Sequence, residues 1–229
     1  MKAVPSGPDP NFPYLDEHHR ITFPDPLKAD SSIIAFGGNL SPGMLLSAYE
    51  QGIFPWFNPG EPVLWQSPDP RCIIFPEKLH VSHSMKKVLR QGIYDISFNQ
   101  NFPGVILECS KIKRPKQRGT WITDDIKAAY TEMNRLGYAI SAEAYQDGVL
   151  AGGCYGILLG KIFFGESMFS KKPNASKAAF LSLACRLFAD GIAFIDCQVP
   201  SPHILSLGGE EISRKDFLQL LRKTLNMIS

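Results

Sequence analysis

No apolar run in the 229-residue chain approaches the ~20 residues that a membrane-spanning helix needs, and its first residues lack a basic segment followed by an apolar one. A cytoplasmic protein that stays off the membrane is therefore expected. Cysteine is scarce. Cys72, Cys109, Cys154, Cys185 and Cys197 are odd in number, widely spaced and free of any C-x-x-C pair, which excludes a disulfide framework and a zinc ribbon and leaves reduced, mostly buried thiols. His18, His19, His80, His83 and His203 form no H-E-x-x-H pattern, so no structural metal is expected. Charge of one sign is lacking as well. With 24 basic against 22 acidic residues the net charge is only +2, too little for the field of a non-specific nucleic-acid binder. The remaining composition, 44% apolar and 20% charged, is that of an ordinary globular protein, long enough for a full core as one domain or two small ones.

Locally the charge is less even. Lys86, Lys87 and Arg90 fall on adjacent turns of one helical segment, and Lys111, Lys113, Arg114, Lys116 and Arg118 crowd into a single stretch. Such clusters suit phosphate contacts, where neutralisation releases counterions, but equally a solvated helix face and a solvated loop. Residues 1–31, with Pro5, Pro8, Pro10, Pro13, Pro24 and Pro26, read as an irregular arm. Ser41-Pro42, then Met44-Leu45-Leu46 and Tyr49, closing at Gly52, carry an N-cap, an N1 proline and a terminal glycine: a helix. Strands are expected over 63–65, 72–75 and 94–98, and helices over 82–90 and 102–110, with a boundary near residue 90 between a small N-terminal α/β unit (1–90) and the remainder (91–229). From Thr123-Asp124-Asp125 the order becomes helix, a meander of three antiparallel strands turning at Asp147-Gly148 and Gly160, helix over 174–189, strand over 193–199 and a terminal helix. That order is α+β.

Two of the apolar segments contain costly polar groups. Phe163-Phe164-Gly165-Glu166-Ser167-Met168-Phe169 and Phe194-Ile195-Asp196-Cys197-Gln198-Val199 each bury a carboxylate in a strand-like run, which is unfavourable unless the charge is paired. Asp196 and Gln198, two apart, share one strand face, setting a proton acceptor beside an amide. An internally satisfied polar pair reads equally well from these residues alone.

A longer set of motifs decides between them. Gly38-Asn39-Leu40-Ser41, Tyr49-Glu50-Gln51-Gly52-Ile53-Phe54-Pro55-Trp56-Phe57, Trp65-Gln66-Ser67-Pro68-Asp69-Pro70-Arg71, Gly119-Thr120-Trp121-Ile122-Thr123, Gly165-Glu166-Ser167-Met168-Phe169, Asn174-Ala175-Ser176-Lys177 and Ile195-Asp196-Cys197-Gln198 occur in that order. Together they resemble the leucyl/phenylalanyl-tRNA–protein transferases of bacteria over nearly the whole chain. The resemblance implies a GNAT-like acyltransferase domain with a mainly antiparallel sheet, no cofactor, and transfer of Leu or Phe from Leu-tRNA or Phe-tRNA to the N-terminal amine of proteins beginning with Lys or Arg, creating an N-degron. It further implies a monomer, a proton relay through Asp196 and Gln198, contact of Glu166 with the aminoacyl end, and Trp56 and Trp121, with Tyr49 nearby, around the terminal adenosine. Base stacking on such rings is worth about 1–3 kcal/mol. Lys86, Lys87 and Arg90 match the family's acceptor-stem patch. The Lys111–Arg118 run is expected to join them.

Specificity for Leu and Phe implies a deep apolar pocket, to which Phe163 and Met168 correspond. Strict alternation would put those two on opposite strand faces, which hints at a bulge near Gly165. Cys154 stands where a relative has Met, and Leu183 and Leu187 where it has aromatic residues; the Cys enlarges the pocket and bears on the balance of Leu against Phe. Two rival chemistries fit less well. A coenzyme A-dependent acetyltransferase needs a glycine-rich pyrophosphate loop, and Lys171-Lys172-Pro173-Asn174-Ala175-Ser176-Lys177 has no glycine. A serine hydrolase built from Ser167, Asp196 and His203 lacks the second glycine of a nucleophile elbow. A tRNA-binding module without catalysis would leave Asp196 and Gln198 idle.

Overall fold

The computed structural model describes residues 5–112 and 120–226. Seven helices and ten strands follow in chain order: β1 (Ile33–Phe36), α1 (Pro42–Glu50), β2 (Phe54–Pro55), β3 (Leu64–Gln66), β4 (Arg71–Ile74), α2 (His83–Arg90), β5 (Asp95–Phe98), α3 (Phe102–Ser110), α4 (Asp124–Arg135), β6 (Ala139–Gln146), β7 (Val149–Leu159), β8 (Ile162–Ser170), α5 (Ala175–Ala189), β9 (Phe194–Gln198), α6 (Pro202–Leu205), β10 (Glu210–Ile212) and α7 (Arg214–Asn226). The fold is α+β. A small antiparallel sheet runs β1-β3-β2, and a larger one β10-β4-β9-β8-β7-β6-β5. Every neighbouring pair in the large sheet is antiparallel except β8 and β9. A parallel pair needs a crossover, and α5 supplies it.

Local sequence explains most of these elements. Thr123 caps α4 by accepting from the Ile126 N–H at 3.3 Å, and Asp124 and Asp125 sit in its first turn where the helix dipole favours acids. Asn101 caps α3 in the same way. Helix α1 is apolar nearly all round, and Pro42 through Tyr49 are all buried, as a helix with no polar face must be. Ser41 precedes it without making a side-chain cap; its hydroxyl instead donates to Asn39 Oδ1 at 2.7 Å and accepts from the Leu15 N–H at 3.1 Å, tying the proline-rich arm to the helix start. Strand β4 belongs to the large sheet, between β9 and β10.

The large sheet has a core on each face. One holds Tyr49 of α1, Val105 of α3, Tyr130 of α4 and Phe217 of α7, with Phe164 and Phe169 from β8. The other holds Met85 of α2 and Leu181, Leu183 and Leu187 of α5, with Phe163 and, at its edge, Met168 from β8. Each β8 pair, Phe163 with Met168 and Phe164 with Phe169, shares a face across an odd spacing, which a regular strand cannot do. The strand register resolves this. Pairing with β7 passes from Tyr155–Ser167 to Gly156–Gly165, so Glu166 is an extra residue, a β-bulge. The bulge expected near Gly165 is therefore present.

The glycine that makes room for the bulge is Gly156 on the neighbouring strand. A Cβ there would lie 2.1 Å from the Phe164 carbonyl oxygen and 2.6 Å from the Phe163 ring, whereas a Cβ on Gly165 would meet nothing nearer than 3.7 Å. Gly156→Ala is expected to cost about 1–3 kcal/mol, the usual penalty for overpacking, and Gly165→Ala much less. Urea denaturation of the two variants measures the difference. Equal losses would mean that the bulge, not the space opposite it, sets the requirement.

Candidate active site

Strands β8 and β9 are hydrogen-bonded only from Ile162–Phe194 to Phe164–Asp196. Past that point β8 continues to Ser170 while β9 ends at Gln198. The chains part, and a cavity of about 440 Å³ opens between them. Glu166 and Gln198 lie just beyond the last paired residues and span the gap with their side chains, Gln198 Nε2 donating to Glu166 Oε1 at 2.9 Å.

Glu166 is buried, and among the described residues its donors are neutral. Tyr49 Oη donates to its Oε1 at 2.6 Å, and the single Tyr130 O–H is shared between Tyr49 Oη and Glu166 Oε2, the latter at 3.3 Å. Four elements thus converge on one carboxylate: α1, α4, the β8 bulge and the end of β9. Burial pushes the Glu166 carboxyl up to about 7, and the hydrogen bonds from Tyr49, Gln198 and Tyr130 offset this only in part. Burial and the Glu166 charge push the Tyr49 phenol well above its ordinary value, and the same two causes act on Tyr130.

Asp196 has a different setting from the one expected of it. Its carboxylate is fully buried and does not reach the cavity wall. Arg71 holds it from two sides, Nε to Oδ1 at 2.9 Å and Nη2 to Oδ2 at 2.6 Å. The same guanidinium donates to the Gly52 carbonyl at 3.2 Å and lies 4.9 Å from the Phe54 ring centre and 4.3 Å from that of Phe217. Asp196 Oδ1 also accepts the backbone N–H of Gln198 at 2.9 Å. That contact across two residues is an Asx-type turn, and Gln198 takes the left-handed backbone (φ 64°) that steers its side chain toward Glu166 instead of Asp196.

The cavity has three walls. Trp56, half-buried and stacked 6.5 Å from Phe54, and Trp121, buried, form an aromatic one. Cys154, Phe163, Met168 and Phe180 form an apolar one. The chain from Cys197 to Ile204, with Gln198 and His203, forms the third. Trp56, Trp121, Cys154, Phe163, Met168, Glu166 and Gln198 thus meet in one cavity. Tyr49 stands one hydrogen bond behind Glu166. Leu183 and Leu187 are not on the wall; they lie in the core of α5, in the same cluster as Phe163 and Cys154, and Phe180 is the α5 residue that faces the cavity. Lys86, Lys87 and Arg90 are exposed on α2. Of the second basic run, Lys111 pairs with Glu108 at 3.0 Å; Lys113, Arg114, Lys116 and Arg118 lie outside the described residues.

Arg71, Tyr130 and Phe180 are site residues that the sequence reading missed. Tyr130 carried a signal, since with Ile126 and Met133 it makes the buried stripe of α4. Arg71 closes one of the motifs, but nothing local points to its role, because its partner is 125 residues away. Among the described residues no group of three or more His, Cys, Asp or Glu could hold a metal ion, and no helix is long and apolar enough to cross a membrane.

A carboxylate brought toward neutrality at a cavity wall is suited to proton transfer, which makes this cavity the candidate active site. Comparison with known proteins gives its kind. The family "Leucyl/phenylalanyl-tRNA protein transferase N-terminal domain" matches residues 38–69, and "Leucyl/phenylalanyl-tRNA protein transferase" matches residues 73–222. Proteins named leucyl/phenylalanyl-tRNA–protein transferase are similar to it throughout: that of Myxococcus xanthus is 46% identical over 92% of this chain and 91% of its own length, and that of Hahella chejuensis 49% identical over 93% and 91%. The chain belongs to this family of aminoacyltransferases. Among solved structures, a GCN5-related N-acetyltransferase from Kribbella flavida overlaps 76% of this chain and 62% of its own at 10% identity, with a TM-score of 0.39.

Two outcomes test this geometry. Glu166 binds its proton more tightly folded than unfolded, so between about 4.5 and 7 the folded state holds more protons and stability falls as pH rises. The contribution is fully present below the unfolded value and is lost as pH climbs through the folded one. Glu166→Gln removes that slope, so its stability relative to wild type is expected to rise between about pH 5 and pH 8 in urea titrations; parallel curves would show that burial does not shift Glu166. Arg71→Met leaves the Asp196 charge dry and unpaired and is expected to cost about 3–5 kcal/mol, much of it regained when Asp196→Leu is added.

Proposed function

We propose that the protein transfers Leu or Phe from Leu-tRNA or Phe-tRNA to the N-terminal amine of proteins or peptides that begin with Lys or Arg, giving them an N-degron, and that it acts in the cytoplasm as a monomer. One observation supports this above the others. The hydrogen-bonded pair Glu166 and Gln198 lines one cavity together with Trp56 and Trp121 and with Cys154, Phe163 and Met168, side chains that suit an adenosine, an apolar side chain and the ester joining them.

In this reading the terminal adenosine stacks against Trp56 and Trp121, and the Leu or Phe side chain enters among Cys154, Phe163, Met168 and Phe180. Leu183 and Leu187 back that wall from the α5 core. Lys86, Lys87 and Arg90 receive acceptor-stem phosphates, which fix position without reading sequence. The ester is already activated, so the enzyme must chiefly position two reactants and manage protons. The amine enters largely as ammonium. It gives one proton to the ionised Glu166 carboxylate, and its nitrogen lone pair then attacks the ester carbonyl carbon. Collapse of the tetrahedral intermediate breaks the bond to the ribose oxygen, which leaves as a hydroxyl with the second amine proton. Glu166 returns its proton to solvent. Gln198 commits one N–H to Glu166 and keeps a second N–H and its carbonyl for the reactants. Asp196 is a positioning residue: it fixes the Gln198 turn and touches neither reactant.

The direct test is transfer of radiolabelled Leu from Leu-tRNA to a peptide with N-terminal Arg, with and without coenzyme A. Transfer is expected without coenzyme A and is expected to vanish when the peptide amine is acetylated. No transfer from either Leu-tRNA or Phe-tRNA would overturn the reading. Trp121→Ala is expected to weaken binding of an aminoacyl-adenosine by about 1–3 kcal/mol; unchanged affinity would remove Trp121 from the site.

A further inference from the structure

In the transfer reading the adenosine and the apolar side chain are assigned to the other two walls, and the third wall, from Cys197 to Ile204, is given neither. Its one titratable ring is His203, carried on α6. That short helix is held by Ser201, whose hydroxyl accepts from the Ile204 N–H at 3.2 Å. The ring therefore stands on a fixed turn directly after Gln198. Its Nε2 is buried and has no hydrogen-bond partner among the described residues. Buried polar atoms in folded proteins are nearly always paired, and an orphan at a cavity wall marks a place where a ligand atom completes the pairing.

We propose that His203 recognises the acceptor substrate: its imidazole accepts a hydrogen bond from the α-amine of the incoming protein and holds that amine toward Glu166 and Gln198. The proposal rests on the transfer reading above and adds a residue to its acceptor half. Burial and the nearby Lys177 charge lower the His203 pKa, so near neutral pH the ring carries one N–H and one free lone pair. The partner such a ring lacks is an N–H donor. A free α-amine titrates near ~8 and attacks only when uncharged. The surroundings that disfavour a cation on the imidazole disfavour one on an amine beside it, so they favour the reactive form. No bond to His203 forms or breaks, and the proton that must leave the amine goes to Glu166.

The test compares wild type, His203→Ala and His203→Gln, varying an N-terminal-Arg peptide at saturating Leu-tRNA and then the reverse. His203→Ala is expected to raise the peptide KM about tenfold, the size of one lost hydrogen bond, and to leave the KM for Leu-tRNA unchanged. His203→Gln, whose amide oxygen reaches about as far as Nε2, is expected to recover most of the loss. An unchanged peptide KM, or a rise in the Leu-tRNA KM alone, would overturn the assignment. A wild-type enzyme that transfers nothing would refute the transfer reading instead. Independently of any variant, the imidazole 15N resonances of His203 in the wild-type protein are expected to shift on addition of the peptide and not of its N-acetylated form. No shift, or the same shift with both, would overturn the assignment.

Discussion

Two full charges with no access to water, Arg71 and Asp196, set the geometry on which the site depends. Burying such a pair is unfavourable unless its polar atoms are paired, and all three guanidinium nitrogens and both carboxylate oxygens have a partner. The guanidinium grips both carboxylate oxygens, takes the carbonyl of Gly52 after α1, and lies between the rings of Phe54 and Phe217. Strand β4, strand β9, the turn after α1 and helix α7 are thereby fixed to one point. An apolar pair of similar volume could hold those elements together as well. What it could not do is accept the Gln198 N–H, a bond that helps to hold Gln198 in a left-handed backbone that a residue with a Cβ adopts at a cost. The pair is a device for geometry more than for stability.

The two buried carboxylates beside the cavity, Glu166 and Asp196, are treated in opposite ways. Asp196 is matched by a cation in bidentate contact. Glu166 is met by two phenols and an amide, which stabilise its charge without cancelling it. Burial therefore dominates at Glu166, and the carboxyl titrates near neutrality. A group that must accept a proton and release it in each cycle needs that environment; a group that must hold a backbone turn in place is better served by a permanent partner. The sequence alone offers both acids in similar apolar strands and cannot rank them, because what separates them is Arg71, Tyr49 and Tyr130, all distant along the chain.

That limit defines how much was legible. Helices with caps and a single apolar stripe, such as α4, and the hairpin at Asp147-Gly148 are local events and could be read directly. The bulge was legible by contradiction, since Phe163 and Met168 could not otherwise share a pocket. Strands β2 and β10 were not, being two and three residues long; Glu210–Ile212 is a strand because it pairs with Arg71–Ile73, not because of its own composition. Leu183 and Leu187 were placed on the pocket wall because a relative has aromatic residues at those positions. Position along the helix decides otherwise: Phe180, near the start of α5, meets the cavity, while the two leucines, about one and two turns further on, pack in the core of the same face.

One extra residue in β8 accounts for most of what the site contains. Before Glu166 the strand sends Phe163 toward α5 and Phe164 toward α1; after it, Met168 and Phe169 repeat that division. Without the insertion Met168 would turn to the other core and the apolar wall would lose a side chain. Glu166 itself, left over from the ladder, points its carboxylate where the β8–β9 pairing ends and Gln198 can reach it. Gly156 opposite is what lets the backbone pass. The apolar wall, the titrating carboxylate and the opening between strands are therefore consequences of one irregularity, and the Arg71–Asp196 pair supplies the matching constraint from the other strand. A variant of β8 shortened by the bulge residue would restore a regular ladder and abolish the cavity's polar centre in the same step.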